Sequence, residues 1–514
     1  MRRMIMLSSL LSFFTSAFSQ QSARVVINGN APSTTISKHI YGHFSEHLGR
    51  CIYDGFWVDE NSKIPNKGRI RLDIVEALKK INIPNLRWPG GCFADEYHWR
   101  DGIGPRKARP KMVNTNWGGV TEDNSFGTHE FLELCSMLGT EPYIAGNVGS
   151  GTVEEMSKWI EYLNFNGQSP MSEIRKQNGR NEPWNVAFWG VGNENWGCGG
   201  NMTAEYYADQ YKRYASYCKN YPGANLKKVA GGANSEDYNW TETLMRKVPL
   251  NMMWGISLHY YTVPKTWGDK GSATAFDEKE YAATMKKALY MNELVSRHSA
   301  IMDRYDPQKR VALVVDEWGI WTNVEPNTNP GFLYQQNSLR DALIAGVHLN
   351  IFNNHAERVK MANLAQTVNV LQALILTEGN KMLLTPTYHV FDLFKVHQDA
   401  KLLPIQVSTP HYTLDNIKLP AVNVSASQDP TGVVHISFVN LDPNKKISVN
   451  SILSGVNWKS VSGQIITSAK LTDVNSFQND SKIKPVAFTG AKKEGDALIV
   501  ELPAQSVVVL ELKN

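Results

Sequence analysis

Eight short apolar segments, separated by segments of helical periodicity, run from about residue 40 to about residue 380 of this 514-residue chain. Apolar runs that alternate with amphipathic helices predict parallel strands joined by crossover helices. Eight such units favour a (β/α)8 TIM barrel with long loops. An open doubly wound sheet is the alternative, but the glycine-rich phosphate-binding turn that usually follows its first strand is missing from the sequence. The predicted strands are Ile40–Phe44, Ile83–Arg87, Pro142–Gly146, Val186–Val191, Lys228–Gly231, Met253–His259, Val311–Val315 and Val347–Phe352.

After Pro386 the pattern changes to short alternating segments, separated by Gly, Pro, Asn and Asp, without a sustained helical period. This pattern predicts a second domain, an antiparallel β-sandwich that is jelly-roll-like and follows the barrel in the sequence. The predicted fold class is therefore α/β, a TIM barrel with a C-terminal sandwich. The stretch Arg24–Ile27 alternates in the same way and could add a strand to that sandwich. The predicted division is a signal peptide at 1–19, an N-terminal strand segment at 20–39, the barrel at 40–385 and the sandwich at 386–514.

The N-terminal residues have the composition of a secretory signal. Arg2 and Arg3 precede the apolar stretch Ile5–Phe14, and the small residues Ala17 and Ser19 fit a cleavage site. The apolar stretch is too short to span a membrane, and no later segment is long enough. We therefore expect an exported protein, periplasmic or extracellular, without a membrane span.

Charge and cysteine usage exclude several classes of function. The formal net charge is only +4, and no long Lys/Arg block is present, so nucleic-acid binding is not expected. None of the five cysteines forms a C-x-x-C pair, and we predict neither a metal nor a cofactor. Cys92 and Cys198 each follow an apolar run in a glycine-rich loop. They could bridge if both loops lie on one face, which the spacing leaves open.

Aromatic residues are abundant, with 14 Trp and 20 Tyr. Core packing explains some of them, whereas the indole faces of others would suit stacking against the C–H faces of sugar rings. Many of the tryptophans lie beside polar or glycine residues: Trp88, Trp99, Trp117, Trp196, Trp267, Trp318 and Trp321.

Acids, amides and aromatics follow nearly every predicted strand. Barrel enzymes place their chemistry at these C-terminal strand ends. A single strand-end carboxylate is more often a helix cap or an ion-pair partner, but the whole set indicates a catalytic face. The set comprises His43, Glu46, His47, Arg87, Asn147, Asn193, Glu194, His259, Tyr260, Tyr261, Glu317, Asn353, Asn354 and His355, with Gln366 just beyond.

Glu194 and Glu317 follow the fourth and seventh predicted strands, which places them across the barrel mouth from each other. Two acids without a metal-ligand cluster, among many aromatics, indicate glycoside hydrolysis, in which one carboxylic acid protonates the leaving oxygen and another carboxylate acts as nucleophile or base. A separation of roughly 5 Å between the two carboxyl groups would specify retention of configuration.

Several motifs carry a specific resemblance over almost the whole chain. They are Tyr41 to Gly49 (YGHFSEHLG), Arg87 to Gly91 (RWPGG), Tyr97 to Trp99 (YHW), Gly192 to Glu194 (GNE), His259 to Tyr261 (HYY) and Asp316 to Trp318 (DEW). With these motifs the chain resembles the α-L-arabinofuranosidases of glycoside hydrolase family 51, whose barrels carry their acids on strands four and seven.

The resemblance implies a role for each matching residue. It implies Glu194 as the general acid/base and Glu317 as the nucleophile, with Arg87 and Tyr261 as donors to Glu317. It further implies Asn193 on the sugar 2-hydroxyl and Glu46 on other furanose hydroxyls. The remaining substrate-binding residues that it implies are His259, Gln366, Trp117 and Trp321. Some family members have Asn where this chain has Cys92, and that departure favours a Cys92–Cys198 bridge at the rim.

The expected function is an exo-acting retaining α-L-arabinofuranosidase that acts on arabinoxylan- or arabinan-type oligosaccharides of the plant cell wall. Two alternatives remain: a retaining endo-glucanase or endo-xylanase, which needs an open cleft rather than a pocket, and a non-catalytic carbohydrate-binding barrel. Intact motifs around both acids argue against the latter. The resemblance also implies a homo-oligomer, often a hexamer, which composition and spacing do not show.

Overall fold

The computed structural model describes residues 22–32 and 34–514, and the predicted signal peptide at residues 1–19 lies outside them. Eight parallel strands form a closed barrel, which confirms the predicted fold class. Each strand pairs with the next one in chain order, and the eighth pairs with the first. The barrel strands are Gly42–Phe44, Asn85–Trp88, Glu141–Gly146, Phe188–Val191, Lys227–Asn234, Gly255–Thr262, Ala312–Ile320 and Val359–Ala365.

Helices cover the outside of the barrel with amphipathic faces. In the helix Val153–Asn164, for example, Trp159 and Ile160 are buried, and the Thr152 hydroxyl caps the N-terminus by accepting from the Glu155 amide at 3.1 Å. Among the described residues, no helix has the length and apolar composition needed to cross a membrane. The α-helices are Leu72–Lys80, Thr128–Leu138, Val153–Asn164, Pro170–Gln177, Ala204–Tyr217, Tyr238–Lys247, Glu278–Tyr305, Leu339–Asn354 and Pro386–Phe394.

The eighth strand is Val359–Ala365, and the prediction that it is Val347–Phe352 is wrong. That run lies inside the helix Leu339–Asn354, whose residues are buried from Leu339 to Asn353 because it packs between the barrel and the C-terminal strands. A helix that is covered on every side is apolar all round, and over six residues its composition cannot be distinguished from that of a buried strand.

This shift changes the surroundings of three predicted strand-end residues. Asn353, Asn354 and His355 end a helix instead of a strand, and they make structural contacts. The Asn353 amide donates to the Tyr41 hydroxyl at 2.9 Å, and the Asn354 amide donates to a backbone carbonyl of the C-terminal sheet. Gln366, in contrast, follows the true eighth strand directly.

The C-terminal region consists mainly of two sheets that pack face to face around their own apolar core, and their strands are antiparallel except where the N-terminal strand pairs in parallel with Ile447–Ser454. The N-terminal strand Ser22–Asn28 lies between Ile405–Ser408 and Ile447–Ser454 in one of these sheets. That sheet also contains Ala491–Glu494 and Ala497–Leu502. The other sheet contains Lys401–Leu402, Val422–Gln428, Val434–Asn440, Ser460–Ile466, Val486–Ala487 and Ser506–Lys513.

Four two-stranded hairpins account for the remaining strands of residues 22–32 and 34–514, and the one in the loop after the second barrel strand carries Trp117. Their strands are Asn66–Lys67 with Ile70–Arg71, Met112–Val113 with Thr121–Glu122, Ile375–Glu378 with Lys381–Leu384, and His411–Leu414 with Ile417–Pro420.

Candidate active site

Glu317 lies on the seventh barrel strand where the regular alternation of side chains is interrupted. The pairing with the eighth strand shifts register directly after Val315. Consecutive strand residues normally point to opposite faces, and a bulge re-aims one of them. As a result, Asp316 and Glu317 both reach the guanidinium of Arg87, at 3.6 and 2.8 Å. The strand therefore delivers two adjacent carboxylates to one buried cation.

Two donors from different strands hold the Glu317 carboxylate. Arg87 Nη1 donates to Oε1 at 2.8 Å, and the Tyr261 hydroxyl donates to Oε2 at 3.0 Å. Gly91 passes so close that a Cβ there would lie 2.6 Å from Glu317 Oε1 and would force this carboxylate to shift. The carboxylate is thus fixed in both position and orientation.

Arg87 also orients Asn193, the residue before Glu194. Its Nη2 donates to Asn193 Oδ1 at 2.6 Å. The Asn193 side-chain NH2 group is buried and has no hydrogen-bond partner among the described residues. A buried donor without a partner is costly, and a ligand hydroxyl would satisfy it.

Glu194 lies in the loop after the fourth strand, facing Glu317. One carboxylate oxygen of each residue lies within 4.8 Å of the other, and His259 lies within the same distance of both. Burial raises the pKa of Glu194, and the nearby Glu317 raises it further. A hydrogen bond to His259 Nδ1, at 2.8 Å from Glu194 Oε1, limits the rise. A raised pKa suits a group that must start protonated.

His259 lies between three carboxylates. Its Nδ1 is 2.8 Å from Glu194 and 3.5 Å from Glu317, and its Nε2 is 3.2 Å from Asp316. Burial alone would lower the pKa of His259, but the three acids outweigh burial and raise it to about 10. The imidazole is therefore charged at neutral pH. Arg87 and His259 in turn hold the pKa of Asp316 below its usual value, against the effect of burial.

Glu46 is buried opposite these residues and accepts hydrogen bonds from two sides. Its Oε1 accepts from the Gly91 amide at 2.9 Å and from Trp117 Nε1 at 3.0 Å. Its Oε2 accepts from Gln366 Nε2 at 2.7 Å. Burial, assisted by the charge of Glu317, raises the pKa of Glu46 to about 7. Gln366 Oε1 has no partner among the described residues.

These side chains line one cavity of about 280 Å³. That volume is at the small end for ligand pockets, which range from about 300 to 1,000 Å³. Of the predicted substrate-binding residues, Arg87 and Asn193 are absent from its lining. The lining consists of Glu46, Leu48, Gly91, Cys92, Trp117, Glu194, Trp196, Asn234, Ser235, His259, Tyr260, Tyr261, Trp267, Glu317, Trp321, Leu333, Gln366 and Leu371.

A disulfide joins the loops after the second and fourth strands. Cys92 and Cys198 are bonded, with their Cα atoms 5.4 Å apart. The Cys198 sulfur lies 3.7 Å from Glu194 Oε2, so the bridge supports the loop that carries this acid. The remaining cysteines are buried free thiols: Cys51, Cys135 and Cys218.

In the part of the chain that the structure describes, two groups of side chains bring possible metal ligands within 4.8 Å of one another. The group of Cys92, Glu194 and Cys198 contains both disulfide sulfurs, which are not thiolates and therefore do not ligate a metal. The group of Glu194, His259 and Glu317 is explained by the ion pairs described above. The absence of a metal or cofactor from the mechanism stays a prediction.

Sequence reasoning missed a supporting residue, Asp95. Its buried carboxylate accepts from the backbone amides of Val148, Gly149 and Asn193, and so ties the third and fourth strand loops together. Burial raises the pKa of Asp95 to about 6 although these donors oppose the rise. Its position three residues after Cys92, in the same glycine-rich loop, was the available signal.

Known proteins are similar to this chain over nearly its full length. Sequence profiles of the α-L-arabinofuranosidase 1 domain and of the α-L-arabinofuranosidase C-terminal domain match residues 77–280 and 316–506. An "Intracellular exo-alpha-L-arabinofuranosidase" of Bacteroides ovatus is 51% identical over 99% of both chains. The crystal structure of the GH51 arabinofuranosidase from Xanthomonas axonopodis pv. citri is 50% identical, with a TM-score of 0.95 over 96% of this chain and 100% of that one. The Thermotoga maritima α-L-arabinofuranosidase, solved as an arabinose complex, is 31% identical, with a TM-score of 0.85 and the same coverage.

The comparison corrects the expectation of export. The Bacteroides ovatus relative is named an intracellular enzyme and matches this chain over 99% of its length, so the predictions of a signal peptide and of a secreted protein are wrong. The export prediction depended on N-terminal composition alone. Two arginines before a short apolar stretch form a weak pattern.

Proposed function

The chain belongs to glycoside hydrolase family 51, the α-L-arabinofuranosidases, and we propose that it releases terminal α-L-arabinofuranosyl residues with Glu194 as acid/base and Glu317 as nucleophile. The substrates would be arabinoxylan- or arabinan-type oligosaccharides. The observation that carries the proposal is the approach of one oxygen of each carboxylate to within 4.8 Å of the other, which fits the shorter of two known spacings. Retaining glycosidases separate their carboxyl groups by about 5–5.5 Å, whereas inverting enzymes need about 6.5–9.5 Å to admit a water.

In the first step the Glu317 carboxylate attacks the anomeric carbon while Glu194 protonates the departing oxygen. Arg87 and Tyr261 keep the nucleophile aimed, since each binds a different carboxylate oxygen. The product is a covalent arabinosyl ester of Glu317 and a free aglycone hydroxyl. Glu194 is then an anion, and charged His259 stabilises it through the 2.8 Å hydrogen bond.

In the second step Glu194 removes a proton from water, which attacks the anomeric carbon from the side that the aglycone has left. The ester bond to Glu317 breaks, and arabinose leaves with its configuration retained. Throughout both steps the Asn193 side-chain NH2 group, which has no partner among the described residues, would donate to the sugar 2-hydroxyl, a contact that strengthens in the transition state.

The residues that line the cavity and its small volume favour the binding of a single furanose. Glu46 and Gln366, which are hydrogen-bonded to each other, would bind hydroxyls of the sugar. Trp117 and Trp321 are proposed as aromatic walls. A cavity of about 280 Å³ suits one sugar unit rather than a chain. This favours removal of terminal residues over endo-cleavage.

Chemical rescue tests the two roles separately. With 4-nitrophenyl α-L-arabinofuranoside, Glu194→Ala should still form the covalent intermediate, because nitrophenolate leaves without a proton. Azide needs no general base, so it should restore turnover and yield the arabinofuranosyl azide of retained configuration. Glu317→Ala has no nucleophile, and its kcat should fall by roughly 10⁴-fold or more.

Two results would contradict these assignments. Full wild-type activity of Glu317→Ala would exclude it as the nucleophile. An azide product of inverted configuration from Glu194→Ala would exclude the double displacement. The anomer can be read by proton NMR, and Glu236→Ala, which removes a carboxylate that does not line the cavity, serves as the matched control.

We further propose a homo-oligomer, a hexamer in the first instance, with residues 40–385 as the catalytic unit and 386–514 as an accessory sandwich. The family resemblance supports the assembly. Size-exclusion chromatography with light scattering at micromolar concentration measures the mass directly. A monomer of 57.7 kDa would exclude it.

A further inference from the structure

A ladder of aromatic rings leads outward from the nucleophile. The Tyr261 hydroxyl bonds Glu317, the Tyr261 ring meets Trp321 edge-on at 5.1 Å, and Trp321 meets Trp267 edge-on at 5.5 Å. Exposure is greatest at the outer end of the ladder: Tyr261 and Trp321 are half-buried, whereas Trp267 is 61% exposed. Trp267 nevertheless lines the catalytic cavity.

The segment that carries Trp267 is tied to the loop after the nucleophile strand. The Asn323 side chain donates to Asp269 Oδ1 at 2.8 Å and accepts from the Lys270 amide at 3.0 Å. The Asn323 amide also donates to the Gly271 carbonyl at 2.8 Å. These bonds fix the backbone after the exposed indole, and before it the Thr266 amide donates to the Asp269 carbonyl at 3.0 Å. Trp267 is therefore presented by a braced turn rather than by an unattached loop tip.

A single exposed hydrophobic side chain is ordinary, but the location of Trp267 is not. Among the described residues it is the only large exposed hydrophobic that also lines the cavity. Lys270 Nζ lies 5.8 Å from the Trp267 ring centre and 5.5 Å from that of Trp321. One of its three donors goes to the Trp267 carbonyl at 3.0 Å, and the ammonium can offer the others to sugar hydroxyls.

We infer that Trp267 is the stacking platform for the sugar from which arabinose is cut, with Lys270 as a donor at its edge. This inference rests on the proposed function. Trp321 is one ring nearer to Glu317 and therefore borders the arabinofuranose, whereas Trp267 is one ring further out and meets the next sugar unit. Trp267 would thus contribute to specificity for the leaving group and not to the chemistry at the anomeric carbon.

Two substrates that share the arabinofuranose but differ in the aglycone separate these roles. The first is an arabinofuranosyl-substituted xylotriose, and the second is methyl α-L-arabinofuranoside, whose leaving group has no ring. Trp267→Ala should lower kcat/KM on the first by roughly 5- to 10-fold, the range of one aromatic contact. It should change kcat/KM on the second by less than about twofold. Trp267→Phe should recover most of the loss because it retains an aromatic face.

Tyr217→Ala is the matched control, since this tyrosine is 56% exposed but does not line the cavity. It should affect neither substrate. Equal losses on both substrates in Trp267→Ala, or no loss on the xylotriose derivative, would overturn the platform. A wild-type enzyme that cleaves neither substrate would instead refute the proposed function, so the two failures are distinguishable.

Discussion

The two catalytic carboxylates are held in different ways. Glu317 lies on a barrel strand, its side chain is 7% exposed, and donors on the second and sixth strands bind its two oxygens. Glu194 lies in a glycine-containing loop, its side chain is 18% exposed, and its side-chain hydrogen bond to protein is to His259. One acid is rigidly fixed, whereas the other is only braced.

This difference matches what the two steps demand. A nucleophile acts from one charge state and one position, which favours several donors on a stiff support. An acid/base must lose a proton in one step, regain it in the next and admit a water between them. Its surroundings must therefore stabilise both forms moderately. If this distinction holds, substitutions around Glu317 should change the rate, and substitutions around Glu194 should change its pH dependence.

Among substitutions around the two carboxylates, Arg87→Lys should give the largest effect because Arg87 is shared between Glu317 and Asn193. Lysine keeps the charge but cannot place two nitrogens on two partners. We expect kcat/KM to fall by roughly 10²- to 10³-fold, as for loss of a preorganised donor at a charged transition state. Steady-state kinetics on 4-nitrophenyl α-L-arabinofuranoside measure the loss.

Arg175→Lys is the matched control for burying a lysine in place of an arginine. Arg175 is also fully buried, but it donates to backbone carbonyls away from the cavity. It should lower the melting temperature without a comparable loss of rate. A change of less than about threefold in Arg87→Lys would mean that the rigid hold on Glu317 has no catalytic value.

His259→Gln should give the next largest effect, with a diagnostic direction. Charged His259 lowers the pKa of Glu194, so its removal lets that pKa rise further. The activity that depends on protonated Glu194 is present below this pKa and lost above it, so the basic limb of kcat/KM should move to higher pH. We expect roughly a 10- to 100-fold lower kcat as well.

Tyr261→Phe sharpens this comparison, since it removes a donor from Glu317 and leaves the hydrogen bond between His259 and Glu194 in place. It should lower kcat while the basic limb stays where it is. A basic limb that moves to lower pH in His259→Gln would contradict the assignment of that limb to Glu194.

The sequence predicted the barrel because seven of its strands are short apolar runs between amphipathic helices, a pattern set by burial on both faces. It misplaced the eighth because the helix Leu339–Asn354 is covered on one side by the barrel and its helices and on the other by the sandwich. This burial depends on contacts with segments that are distant in the sequence, so no local pattern predicts it. Where helices were exposed on one face, as in Val153–Asn164, their period was visible.

At the site, residue types in fixed motifs identified Glu194 and Glu317 as candidates, but not the geometry that makes them different. The bulge that turns both Asp316 and Glu317 toward Arg87 comes from the pairing of neighbouring strands. The place of Asp95 depends on three loops that meet. A sequence pattern reports on one loop at a time, and contacts between loops therefore cannot be predicted from it.

Removal of the disulfide should give the smallest effect on rate and the clearest one on stability. The Cys92→Ser/Cys198→Ser variant loses a cross-link between residues 106 positions apart. Cross-links of this span stabilise by about 2–4 kcal/mol, chiefly by restricting the unfolded chain. Because the bridge braces the loop of Glu194, we also expect a modest loss of kcat, smaller than the losses expected for Arg87→Lys and His259→Gln. Denaturant unfolding and steady-state kinetics measure the two effects.

A reducing agent separates the bridge from the serine substitutions. The wild-type enzyme should lose stability in dithiothreitol, since the other three cysteines are already thiols, whereas the double variant should not respond. Glu317 is held by strands and Glu194 by a tethered loop, so reduction should disturb only protonation of the leaving group by Glu194. The reduced enzyme should therefore lose less activity on a substrate with a good leaving group, which needs no proton, than on one with a poor leaving group. Equal losses with good and poor leaving groups would show that the tether acts on the whole barrel mouth, and the distinction between a fixed and a braced carboxylate would then fail.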